Sequence, residues 1–215
     1  MGTRNLTMVI HKDKPVIAQY GQWDGYPEGQ GSNALSFLLN CDKEKFKNVL
    51  QRCRFIEASK RKQNEINNFL KKMGCKDGWM NGEQVEMWRK KYPFLSRDNG
   101  AHILTLIYDD ETDNNLWLND NSEFAADSLF CEWAYVINMD NETFEVYTGF
   151  NDKPLDKSER FYFLQEQNKH YEERREVDGQ YYPVKHVKTY KFTELPDVDS
   201  FIAEIEELTK ETEEV

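Results

Sequence analysis

Residues 5–20, NLTMVIHKDKPVIAQY, hold two runs rich in β-branched and apolar residues, 5–11 and 15–20, on either side of the polar triplet Lys12-Asp13-Lys14. Side chains of that kind pack well on a pleated surface, and a short polar break between two such runs is the pattern of an antiparallel hairpin. Two paired strands are therefore expected to open the fold. Working outward, residues 21–31, GQWDGYPEGQG, carry four glycines and a proline and are expected to be irregular. Ser32 or Asn33 then stands where a cap would begin a short apolar helix, ALSFLLN.

From Asp42 the periodicity changes from two to helical. Phe46, Val49, Leu50 and Cys53 fall at i, i+3, i+4 and i+7, and Ile66, Phe69, Leu70 and Met73 repeat the stripe before Gly74. Asn81 caps a third expected helix with Val85 and Trp88, which must close before Pro93. Ser96 or Asp98 starts a fourth, carrying Ile103, Leu104 and Ile107. Leu116-Trp117-Leu118 reads as a short strand, and residues 131–138 and 143–149 as a second hairpin. Further strands are expected at 160–164 and 182–192, and a helix with the stripe Val198, Phe201, Ile202, Ile205 and Leu208 follows Pro196. The expected class is α+β: an antiparallel sheet built from N-terminal and C-terminal hairpins, a central helical block and a C-terminal helix, in one domain over 1–215. Residues 42–108 form its helical, net basic subregion.

Charge is unevenly spread. Residues 42–91 carry 14 basic and 7 acidic side chains, which leaves 14 against 32 elsewhere and gives the chain its formal net charge of -11. An acidic balance opposes the phosphate attraction that dominates duplex affinity, so generic duplex nucleic acid is not an expected partner. No run approaches the length of a membrane span, and the polar start MGTRNLTMVIHKDK lacks a secretory core, so a cytoplasmic protein without a membrane partner is expected. The four cysteines stand singly with no CxxC pair, and the histidines His11, His102, His170 and His186 form no HxH or HxxxH cluster. Neither a metal site nor a cofactor is expected. The acidic stretch from Asp109 departs from a calcium loop, with Asn114 where that loop bends on glycine.

Chemistry concentrates in the loop 20–31, where Tyr20, Trp23 and Tyr26 offer stacking faces and Gln22, Asp24, Glu28 and Gln30 offer polar contacts. Glycine and proline make such a loop stiff without being regular, which suits a binding site and equally suits a strand-to-helix corner. A hairpin would bring Arg4 toward Tyr20 and Asp24, as a clamp within the fold or on a ligand. Arg4, Tyr20, Gln22, Trp23, Asp24, Tyr26 and Glu28 are the candidate ligand-binding residues; no catalytic residue is assigned, since no nucleophile elbow or P-loop is present.

The segments GTRNLT (2–7) and AQYGQWDGYPEGQG (18–31) resemble the opening of uncharacterised phage and bacterial proteins that share a GTR-x-LT strand and a QWDGYP-x-GQG loop. That resemblance covers about the first 35 residues, with SRDNGA (96–101) compatible, and implies an intracellular accessory protein while transferring no activity. The expected function is binding of a small polar ligand, nucleotides among the candidates, through loop 20–31. Two alternatives stand beside it: an interaction or inhibitor protein that meets a host protein through acidic surfaces, and a hydrolase or transferase using Asp24 or Glu28 as a general base.

Overall fold

The computed structural model describes residues 2–75, 79–167 and 181–213. Strands β1 (Asn5–His11) and β2 (Lys14–Gly21) pair antiparallel through a two-residue turn, Lys12-Asp13, in which both residues take positive φ. The carboxylate of Asp140 accepts both turn amides at 2.9 Å, which satisfies donors that the tight turn leaves unpaired. Two further strands, β5 (Trp133–Asn138) and β6 (Thr143–Thr148), make the second hairpin, and β7 (Lys185–Lys191) closes the sheet in the order β2-β1-β5-β6-β7. One pairing is parallel, β1 against β5, so the sheet is mostly antiparallel and the two hairpins join through the first strand of each.

Alternation along the strands sends side chains to two cores. Val9, Tyr135, Ile137, Phe144 and Val146 face helices α1 (Ser32–Asn40), α2 (Lys43–Leu50), α5 (His102–Tyr108) and α7 (Val198–Glu213). Leu6, Met8, Ala134, Val136 and Tyr147 face the other side, where α6 (Tyr162–Gln167) contributes Leu164 beside Phe161. Helices α3 (Lys60–Lys72) and α4 (Gly82–Lys91) hold a smaller cluster around Ile66, Tyr92 and Leu95. The α2 stripe ends one residue group early: Cys53 leaves the helix for β3 (Cys53–Phe55), which pairs with β4 (Leu116–Leu118).

Three expectations change. Residues 160–164 are not a strand; Phe161 and Leu164 are buried and Phe163 exposed, the i, i+3 spacing of α6. Residues 27–31 are regular after all, forming one wide π-type turn that runs straight into α1, so neither Ser32 nor Asn33 caps it. Helix α5 begins at His102, later than Ser96 or Asp98 would start it. The expected stops hold, α3 ending at Lys72 ahead of Gly74 at φ +73° and α4 at Lys91 ahead of Pro93, and Asn81 caps α4 as expected; Asp42 and Ser59 likewise cap α2 and α3 through their side chains. No helix among the described residues is long and apolar enough to cross a membrane. His170 lies outside the described residues.

Candidate functional site

The loop after β2 crosses the end of the sheet at which β1 starts, and its backbone is held from several sides. Gly25 donates to the Thr3 carbonyl at 3.0 Å, and Gln30 to the Asp24 carbonyl at 2.8 Å. The Gly25 carbonyl receives the Tyr135 hydroxyl at 2.7 Å, and Ser32 Oγ donates to the Pro27 carbonyl at 2.7 Å. Asn5 Nδ2 and Gln30 Nε2 both reach the Trp23 carbonyl, and Gln30 Oε1 accepts the Ala101 amide at 2.7 Å. Gly25 must lack a side chain, because a Cβ there would stand 2.8 Å from the Thr3 oxygen. Asp24 sits at φ +55°, a conformation Asp tolerates better than most residues.

These bonds consume some candidate residues and leave others outward. Tyr20 leans edge-on against Phe124, and its hydroxyl donates to Gln22 Oε1 at 2.7 Å, an oxygen that Arg97 also engages. Gln22 is thus spent within the fold. Trp23 and Tyr26 remain 54% and 53% exposed, and Asp24 and Glu28 are exposed beside them. Among the described residues no hydrogen bond or ion pair engages either carboxylate. Burial, and secondarily the negative charge of Glu28, push the Tyr135 hydroxyl well above the usual tyrosine range. It therefore stays a neutral donor to Gly25.

Arg4 does not join Asp24. Period-two alternation places it on the face of Leu6 and Met8, while Asn5 and Thr7 point to the opposite face; its guanidinium lies 4.4 Å from the Phe130 ring centroid, its Nε buried without a partner. Arg4 and Tyr20 still share that face, since Tyr20 pairs with Leu6. Asp98, expected as a cap, instead pairs with Arg89 at 2.6 Å. Leu129, Phe130 and Phe150 are exposed at the same end of the sheet as Arg4, Phe150 bonding back to the Ser128 carbonyl.

A second polar cluster escaped the sequence reading. Glu145, on β6, accepts the Arg160 fork at 2.7 and 2.5 Å and the Tyr147 hydroxyl at 2.6 Å. These groups border a concavity of about 580 Å³ with His186 and Thr189. Its signal was a lone charged residue, Glu145, in the strand TFEVYT. The described residues contain no group of three or more His, Cys, Asp or Glu able to hold a metal ion. No protein-family model, curated protein or solved structure matches the chain.

Proposed function

We propose that this is a binding protein whose corner 20–31 recognises a small polar ligand bearing a positively charged group. One observation carries the reading: Trp23 and Tyr26 stand half-exposed beside two unpaired carboxylates, on a backbone already fixed by Asn5, Gln30, Ser32 and Tyr135. Aromatic faces attract cations, by about 0.5–1 kcal/mol at exposed sites, and a loop ordered in advance avoids an entropic cost on binding. Asp24 and Glu28 favour an ammonium or guanidinium over a phosphate at this position. The same exposure weighs against the hydrolase reading, which needs burial to raise a carboxylate's basicity. The resemblance of the first strand and loop to phage and bacterial proteins supports an accessory role rather than central metabolism.

A second reading, a protein-protein interaction, draws on exposed Leu129, Phe130 and Phe150 at the same end of the sheet. Calorimetric titration with arginine, tetramethylammonium and AMP separates the two. The corner reading expects saturable binding of the cations that falls at least about tenfold in Trp23→Ala and in Asp24→Asn with thermal stability kept. No saturable binding of either cation sinks it, while capture of a protein partner that Phe130→Ser abolishes and Trp23→Ala does not would favour the second.

A further inference from the structure

At the opposite end of the β1-β2 hairpin, about 20 Å from the corner by strand length, we infer a binding site for a phosphate monoester with a flat or apolar body. A cavity of about 630 Å³ opens between the hairpin turn and the segment joining α2 to β3, within the range of small-ligand pockets. Four of its lining side chains are His11, Lys12, Lys14 and Arg54, and none is a carboxylate; Val16 and Phe55 supply apolar wall. The β-bulge opposite Val9 and Ile10 makes Val16 the unpaired residue of β2, and such bulges re-aim side chains.

The cations are available. Among the described residues neither lysine has an ion-pair partner, and Arg54 uses only Nη1, on the carbonyls of Gln51 and Cys53 at 2.7 Å each. Arg52, its near neighbour, is by contrast committed to Asp110 at 2.7 Å. Two acids flank the lysines: Asp13 stands exposed in the turn between them and lines none of the cavity, while Asp140 is occupied, holding the two turn amides and standing 3.5 Å from His11 Nδ1. The His11 side chain is only 12% exposed, and neither ring nitrogen makes a hydrogen bond. Two lysines and a half-free guanidinium match the roughly two negative charges of a phosphate monoester better than the single charge of a carboxylate. The apolar wall gives the body of the ligand a surface to cover.

Titration with AMP and phenyl phosphate, and with inorganic phosphate and adenosine as the separate halves, tests this at low salt. Both esters are expected to bind with Kd below about 1 mM and each half at least about tenfold more weakly. Lys12→Gln with Lys14→Gln, which neutralises two exposed side chains without adding a carboxylate beside Asp140, should keep its thermal stability and lose at least about tenfold, while Lys90→Gln with Lys91→Gln on α4 should not. Equal losses in the two double variants would show diffuse attraction and overturn the site. So would an absence of saturable binding by either ester, or a loss of AMP binding in Trp23→Ala, which would move the ligand to the corner.

Discussion

The Tyr135 hydroxyl, on the middle strand of the sheet, donates to the carbonyl of Gly25, 110 residues earlier, at 2.7 Å. This bond ties the candidate binding corner to the most buried part of the fold, since Tyr135 is fully enclosed. Replacement by Phe keeps the ring and strands a buried carbonyl without its donor, a cost of about 1–3 kcal/mol. Tyr135→Phe is therefore expected to lower Tm by about 2–4 °C for each kcal/mol lost. Urea denaturation checks it, and an unchanged midpoint would show that the corner does not depend on this anchor.

Gly100 makes a similar point from the helical side. It stands at φ +50°, and a Cβ there would run into the amide of Gln30, the side chain that bridges the Trp23 carbonyl to the Ala101 amide. Gly100→Ala combines a left-handed conformation, about 1–2 kcal/mol for a non-glycine residue, with displacement of that bridge. Lower stability and weaker cation binding at Trp23 should appear together. Reduced stability with full binding would separate the bridge from the site.

Local features were legible and remote ones were not, for physical reasons visible in particular residues. The hairpins and the capped helices α2, α3 and α4 depend on neighbours a few positions away, so spacing revealed them. The parallel pairing of β1 with β5 joins residues 128 apart, Asn5 with Trp133, and no local pattern encodes it. Segment 160–164 misled because aromatic residues suit strands; the overlooked cue was the turn just before it, where Glu159 accepts the Asp156 amide at 2.8 Å and the Asp156 carboxylate accepts the Ser158 amide. At the site, the exposed rings were the readable part. Which of Arg4 and Asn5 faces the loop depended on strand phase, and Gln22 and Gln30 were indistinguishable from ligand contacts until their partners Arg97 and Ala101 came near.

The thiols give an independent check of the two cores. All four cysteines are free. Cys53 and Cys131 are buried, and burial raises both, Cys53 to about 12 and Cys131 well above the usual thiol range. Since the thiolate is the reactive form, a thiol reagent at neutral pH should modify Cys75 and Cys41 in the native protein and reach Cys53 and Cys131 only on unfolding. Cys41, raised by its partial burial, should react more slowly than free cysteine in solution. Early labelling of Cys131 would contradict the packing of the second core.

Glu145 and Arg160 set a pH dependence with a definite sign. Burial would raise the Glu145 carboxyl, but the Arg160 fork and the Tyr147 hydroxyl outweigh it and hold the group below 4.5. A depressed folded value contributes stability that is present above the unfolded value and lost as pH falls through the folded one, so this pair favours folding at neutral pH and fails in acid. Arg160→Met removes the fork and leaves a buried carboxylate, at a cost of about 3–5 kcal/mol. Burial then wins, the folded value rises above 4.5, and the sign reverses: the group's contribution is present in acid and lost as pH rises. The stability gap between wild type and Arg160→Met should consequently widen from about pH 4 to about pH 7. Adding Glu145→Gln neutralises the stranded charge and should recover part of the loss. Urea unfolding across that range decides it; a gap independent of pH would mean that the ion pair acts only through packing.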